Sequence, residues 1–432
     1  MIKVINTESR NFQKQLDDLL VSRKYNSKTK NSLVKKITQE VEKNGDKSII
    51  KYERKFSGLK KTRRSVLFFS KKEIKESIKK LDRKTKNSID IAYKRILNFH
   101  KKQKFKGFKI YDKYNNSFSY RSRPLDKIGI YVPGGTASYP SSVLMNSIPA
   151  IVAGVKEIFM TVPSMNGSIN PGVLYAAKKC KIKKIYKLGG AQAVAAFAFG
   201  TKTISKVDKI VGPGNEYVAL AKKEVFGKVG IDMMAGPSEV TVIADKYANP
   251  NWVAADLIAQ AEHDTMSQSI LITNSKDLIK IVNKLLQNQL KFLPKRKIVM
   301  ESFKNFGFAI LAKNQKEISN IVNKISPEHL EIFTKKPETY LKSIDNAGSI
   351  FLGPYSPEAM GDYIAGPNHV LPTDRTAKFS SGLNVLDFFK RTSIVSCTKE
   401  NINVIGKDAV ILANEEGLQA HALSIECRLN NN

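Results

Sequence analysis

From Lys127 onward the chain alternates short β-rich runs with longer runs that repeat apolar residues at helical spacing. IGIYV (128–132) precedes SSVLMNSIPAIVAGV, and EIFMTV (157–162) precedes a helix near 171–180. KIYKL (184–188) precedes AQAVAAFAFG, and KIV (209–211) precedes NEYVALAKKEVF. The series continues with EVTVIAD (239–245), a helix from about Trp252 to His263, SILIT (269–273), FAILA (308–312), HLEIF (329–333) and GSIFL (348–352). Such alternation predicts an α/β protein with parallel, doubly wound sheets covered by helices on both faces. Two such units fit 432 residues. The first 104 residues read as helical, with apolar positions at Phe12, Leu16, Leu19, Leu20 and again at Ile89, Ala92, Ile96, Phe99. His100 reads there as a surface residue of a basic helix. FKIYDKYNNSFSYRS reads as a hairpin turning at Asn115-Asn116, and 392–432 as a strand followed by helices.

Composition narrows the class. A hydrophobic content of 42% is that of an ordinary globular chain. Cys180, Cys397 and Cys427 are odd in number and far apart, which is neither a disulfide framework nor a CxxC metal pattern. The N-terminus has no signal-peptide core and no apolar run is long enough to span a bilayer, so a reducing, cytoplasmic setting without membrane contact is expected. The net charge of +33 admits a nucleic-acid or anionic-membrane surface. The lysines, however, are spread in pairs through helices (Lys71-Lys72, Lys101-Lys102, Lys183-Lys184) and do not interleave with aromatics as a stacking platform would. Solvated helix faces are the better reading, and no nucleic-acid partner is expected.

Candidate chemistry collects in Leu352–Asp374, LGPYSPEAMGDYIAGPNHVLPTD, where Glu358, Asp362 and His369 lie between Gly-Pro and Ser-Pro turn formers. Functional groups on an irregular segment held by rigid scaffold suit the mouth of a site; a plain solvated loop is the alternative. Glycine turns follow three strand runs: Pro133-Gly134-Gly135, Gly189-Gly190 and Gly212-Pro213-Gly214-Asn215. They allow close approach of a phosphate beyond the carboxyl ends of strands, or tight strand-to-helix packing. Of five histidines, His263 lies one helical turn from Gln260, and His421 shares a segment with Glu416. A zinc site of Gln260, His263, Asp362 and His421 is chemically reasonable, since zinc takes imidazole and carboxylate, yet scattered histidines are also met as structural residues. Glu328-His329 suits an acid/base pair if Ser326-Pro327 bends the chain, because neighbours in a strand point to opposite faces; a structural histidine beside a solvated glutamate is the other reading.

In this order, IGIYVPGGTASYPSSVLMNSIPA, KLGGAQAVAAFAFGT, DKIVGPGNEYVALAK, GIDMMAGPSEV, DLIAQAEHD, SPEHLEI, GPYSPEAMGDYIAGPNHVLPT, FSSGLNVLDFFKR and EEGLQAHALSI resemble the histidinol dehydrogenase family. The resemblance covers nearly the whole chain and is strongest from Gly129 to Arg428. It implies a cytoplasmic enzyme of histidine biosynthesis that oxidises L-histidinol to L-histidine through the bound aldehyde, with one zinc per subunit and NAD. A related zinc/NAD dehydrogenase of another small amino alcohol or diol is the alternative. It implies zinc on Gln260, His263, Asp362 and His421; His329 as base with Glu328 activating water; and a substrate pocket of Ser238, Glu416, His329 and the zinc ligands. NAD would lie against Tyr131, Gln192 and Asn215. An intertwined homodimer is implied, in which the tail completes the partner's site. The architecture that goes with it is two Rossmann-like domains, one of 27–126 and 240–380 and one of 127–239, with a helical segment at 1–26 and a dimerisation tail at 381–432. At TDRTAKFSS, Asp374-Arg375 stand where the resemblance expects two glycines.

Overall fold

A computed structural model describes residues 2–21, 28–59, 64–134, 139–164 and 169–429. The chain opens with strand β1 (Lys3–Asn6) and helices α1 (Phe12–Val21), α2 (Lys28–Asn44), α3 (Asp46–Ser57), α4 (Lys71–Lys79) and α5 (Arg83–Lys101). The hairpin β2 (Lys109–Tyr111) and β3 (Ser117–Pro124) follows, with Asn115 at φ 62° in its turn. A first alternation runs β4 (Lys127–Tyr131), α6 (Pro140–Ala153), β5 (Glu157–Thr161), α7 (Pro171–Lys179), β6 (Lys184–Tyr186), α8 (Gly190–Phe199), β7 (Lys209–Val211), α9 (Glu216–Val225) and β8 (Gly230–Ile231). A second runs β9 (Glu239–Ala244), α10 (Pro250–Ala261), β10 (Gln268–Thr273), α11 (Lys276–Gln289), α12 (Arg296–Phe306), β11 (Gly307–Leu311), α13 (Gln315–Ile325), β12 (His329–Phe333), β13 (Ser349–Leu352) and α14 (Glu358–Tyr363). The tail is β14 (Phe389–Ser396), α15 (Lys399–Glu415) and α16 (Gln419–Leu429). The strand runs read from the sequence are all strands, to within a residue or two at their ends.

Two parallel sheets result. One has the order β1-β11-β10-β9-β12-β13 and the other β6-β5-β4-β7-β8; a small antiparallel sheet, β14-β3-β2, joins the tail to the hairpin. Both large sheets are covered on both faces, which is why their strands read as continuous apolar runs. Val240, Val242 and Leu271 pack under α10, α11 and α12, while Ile243, Ile270 and Ile332 pack under α1 and α13. In the second sheet Ile128, Ile130 and Met160 face α5, α6 and α7, and Phe159, Tyr186 and Ile210 face α2, α3, α8 and α9.

Three expectations change. The helices within 27–126 cover the sheet of 127–239, not that of 240–380, because the apolar stripes of α2 (Val34, Ile37, Val41) and α5 (Ile89, Ala92, Ile96) fit the exposed faces of that sheet. The segment 1–26 is not wholly helical, since β1 pairs in parallel with β11 at the edge of the other sheet. His100 is buried, because it continues the buried stripe of α5, with Nδ1 on the Ile96 carbonyl at 2.8 Å. Burial accordingly lowers its pKa.

Candidate active site

A cavity of about 530 Å³ lies between the two sheets. The second sheet presents the carboxyl ends of its strands there, through Pro133-Gly134 after β4 and Gly212–Asn215 after β7. The first sheet presents its amino ends instead, through Ser238 before β9 and Glu328-His329 at the start of β12. The glycine turns read from the sequence all lie on the second sheet, whereas the first brings its site residues to the amino edge. The reason is topological: a helix joining parallel strands must carry the chain back to the amino edge. Helix α10 therefore delivers Gln260 in its last turn, with His263 just beyond, and α14 supplies Glu358 and Asp362. Ser326 at φ 51° ends α13 and makes the bend that lets Glu328 and His329 share one cavity.

His329 is the best-defined group. Its Nδ1 is 3.2 Å from the Glu239 carbonyl oxygen, which can only accept, so Nδ1 carries the proton. The other nitrogen, Nε2, is then a bare lone pair. It is buried without a hydrogen-bond partner, 3.8 Å from Asp362 Oδ1. Burial lowers the His329 pKa to about 4, overcoming the opposing pull of Asp362. The imidazole is therefore neutral near pH 7 and able to accept a proton at Nε2. Glu328 stands on its other side, Oε2 at 3.7 Å from Nδ1, and accepts from Glu239 N at 3.0 Å. His369 donates from Nδ1 to the Asp362 carbonyl at 2.9 Å and so fixes that turn of α14.

The donor set beside His329 fits a metal ion. Ligand atoms of His263, Glu358 and Asp362 lie within 4.8 Å of one another. Gln260 is 0% exposed, and neither its amide oxygen nor its nitrogen has a hydrogen-bond partner. An orphaned buried amide costs roughly 1–3 kcal/mol, so its place beside two carboxylates and an imidazole points to a ligand. Burial raises Glu358 well above the usual carboxylate range, and the charges of Asp362, Glu331 and Glu328 add to it. A bound cation reverses that penalty. Nitrogen and oxygen donors of this kind suit zinc. Behind them, half-buried Asp256 on α10 and fully buried Glu331 on β12 form a carboxyl pair. Burial lifts Asp256 to about 6 and Glu331 well above its usual range, and Glu331 Oε1 accepts from Glu358 N at 2.6 Å.

A second cavity, about 610 Å³, adjoins the first and shares Pro133, Gly134, Asn215 and Tyr217 with it. Tyr131, Gln192 and Asn215, the three residues expected for NAD, all line it. The glycine turns of the two cavities serve close packing. A Cβ on Gly212, at φ 112°, would sit 2.2 Å from the Tyr131 carbonyl oxygen, and one on Gly189 would sit 2.8 Å from Pro163. Their amides are already committed: Gly189 N to Glu53, Gly190 N to the Tyr131 hydroxyl, Gly212 N to Asp232. Gly135 of the first turn lies outside the described residues.

The chain matches the family model described as Histidinol dehydrogenase over residues 21–429. It is 52% identical to the histidinol dehydrogenase of Pelagibacter ubique (strain HTCC1062), covering 99% of both chains. It is 46% identical to that of Rhizobium meliloti (strain 1021), covering 99% of this chain and 98% of the relative. The crystal structure of histidinol dehydrogenase from Elizabethkingia anophelis superposes with a TM-score of 0.93 at 36% identity, covering 99% of this chain and 98% of that one. The chain belongs to the histidinol dehydrogenase family.

Two residues that the resemblance assigns to the site are not brought to it within this chain. Glu416 and His421 are exposed on the helical tail, and neither lines the cavity that holds Gln260, His263 and Asp362. Asp374 and Arg375, in place of the two glycines, keep a glycine-like backbone at φ 51° and 65°. That conformation costs an ordinary residue about 1–2 kcal/mol. The loop is tied down by Asp374 N donating to Glu239 Oε1 at 2.7 Å.

The sequence reading also missed the groups beneath the site. Asp256 in VAADLIA and Glu331 in HLEIF each interrupt an apolar stretch, which was the available signal, whereas Glu53, in KYERK, carried none. Lys222 and Asp232 form a buried ion pair, 2% and 1% exposed in their side chains, and clamp Gly212 through its carbonyl and its amide. Removing one partner strands a buried charge. Lys222→Met should cost about 3–5 kcal/mol in urea-induced unfolding. The double variant Lys222→Met/Asp232→Leu should recover part of that loss. A Lys222→Met protein as stable as the parent would show that the pair does not hold the loop.

Proposed function

We propose that this protein oxidises L-histidinol to L-histidine with NAD as acceptor and zinc as resident metal, in the cytoplasm, as the last step of histidine biosynthesis. The observation that carries the reading is the lone pair of His329 Nε2, buried, unprotonated and facing the Gln260–His263–Glu358–Asp362 cluster beside a second cavity. Membership of the family supplies the substrate, and the two adjoining cavities have room for substrate and dinucleotide.

L-Histidinol offers an imidazole and an amine, both good zinc donors, and is cationic. Among the described residues lining the first cavity there are no Lys or Arg, although the chain carries 72 of them. Glu328, Glu358 and Asp362 give the cationic substrate a favourable local field within a positive molecule. Gln260, His263 and Asp362 would hold zinc, with His421 from a second subunit as the further ligand, and Glu358 stands beside them. When bound, the metal supplies orientation and Lewis acidity. His329 Nε2 takes the hydroxyl proton as hydride leaves the carbinol carbon for NAD, giving the aldehyde. Glu328 then assists addition of water to the aldehyde. After His329 has released the first proton to solvent, its Nε2 takes a hydroxyl proton of the hydrate as a second hydride leaves for a second NAD, and the acid results. Ser238, on the cavity wall, and Glu416, from the tail, would position the substrate. The position of the cavity between the two sheets would help to retain the reactive aldehyde.

The tail supports a homodimer with shared sites. Ile411 and Leu412 on α15 are 65% and 64% exposed and Leu423 on α16 is 58% exposed, an apolar surface that a second copy would cover. No helix among the described residues is long and apolar enough to cross a membrane.

His329→Asn should lower turnover of L-histidinol by orders of magnitude with zinc content unchanged, read by steady-state kinetics and metal analysis. Loss of zinc in step with activity would make His329 a ligand and overturn its role as base. The shared site has its own test. Subunits carrying His421→Asn mixed with subunits carrying His263→Asn should regain activity, because one of the two mixed sites is free of substitutions. No recovery in verified heterodimers would contradict a tail that crosses over.

A further inference from the structure

The nucleotide reading of the second cavity leaves one buried acid without a role. Glu53, on α3, is 2% exposed and lies in the N-terminal helical region where the sequence showed no candidate chemistry. It follows Ile49 by one turn, so it points into the interface of α3 with α8 along with Ile49 and Tyr52. Its Oε1 accepts two hydrogen bonds, from Gln192 Nε2 at 2.9 Å and from Gly189 N at 3.2 Å, and Ser57 hydrogen-bonds the same carboxyl group. The next amide, Gly190 N, goes to the Tyr131 hydroxyl at 3.0 Å. A single carboxyl group thus fixes the rotamer of Gln192 and the glycine turn that opens α8, and the turn fixes Tyr131. The same helix places Phe56 and Ser57 on the wall of the cavity.

We infer that Glu53 is a positioning residue for the dinucleotide: it holds Gln192 and the Gly189-Gly190 turn in the arrangement that receives the cofactor. The inference rests on the proposed nucleotide role of this cavity. Glu53 itself is one residue removed from the ligand. What matters is the location of its acceptor oxygen. Both bonds reach the same oxygen, so a glutamine amide oxygen can replace it, while Ser57 accepts from the new amide nitrogen. An aspartate keeps the charge but withdraws the acceptor by one methylene, beyond reach of Gln192.

This separation of position from charge gives the test. NADH binding to the zinc-loaded protein is measured by fluorescence titration for the parent, Glu53→Gln, Glu53→Asp, Gln192→Ala and Glu53→Asp/Gln192→Ala. Zinc content and the KM for L-histidinol are followed in parallel. Glu53→Asp should weaken NADH binding about tenfold, the scale of a lost buried hydrogen bond, and raise the KM for NAD without changing zinc content or the KM for L-histidinol. Glu53→Gln should stay within about threefold of the parent. Gln192→Ala should cost less in the Glu53→Asp background than in the parent, because the two changes share one hydrogen bond. Parental affinity in Glu53→Asp, an equal loss in Glu53→Gln, or additive losses in the double variant would each overturn the inference. Failure of the parent itself to bind NADH would instead overturn the nucleotide reading of the cavity.

Discussion

The site depends on a concentration of negative charge that the surrounding protein does not neutralise. Glu328, Glu358 and Asp362 line one cavity, Glu331 lies buried and Asp256 half-buried behind it, and no described lining residue is Lys or Arg. Burial, with the charges of neighbouring carboxylates added to it, drives Glu331 and Glu358 toward their protonated forms. Such an arrangement is unfavourable in isolation and persists only when the rest of the fold over-determines it. A cation converts it into a binding site. The buried, unpartnered amide of Gln260 and the bare Nε2 of His329 belong to the same account, because each is a polar atom kept from satisfaction within the chain.

The two sheets make this possible by meeting with opposite polarity. The second sheet supplies glycine turns at its carboxyl edge, where the chain packs closely against Tyr131 and Pro163. The first supplies its amino edge, to which α10 and α14 return Gln260, His263, Glu358 and Asp362. His329 holds the centre, since the Glu239 carbonyl settles which of its nitrogens carries the proton. Glu239 also receives the Asp374 amide, so the loop that departs from glycine is tied to the same point as the base.

Much of this was legible in the sequence, for identifiable reasons. Parallel strands buried on both faces are continuous apolar runs, so HLEIF and KIV were read with their observed boundaries. The i, i+3 relation of Gln260 and His263 and the bend at Ser326-Pro327 followed from local rules and stand in the structure. Long-range placement did not follow. Nothing local says which sheet α2 and α5 will cover, that β1 will pair with β11, or that Glu53 lies under Gln192 across 139 residues of chain. His100 was read as exposed because its sequence neighbours are lysines, whereas its helical neighbour Ile96 decides its burial. The exposed positions of Glu416 and His421 have no explanation within one chain; a second copy would provide it.

The most direct measurement counts NADH formed per L-histidinol consumed by the purified protein, with and without a strong chelator. One metal-dependent site that carries out both oxidations predicts two NADH per histidinol without accumulation of free aldehyde, activity abolished by chelation and restored by zinc. One NADH per histidinol, or two that survive complete removal of metal, would contradict it.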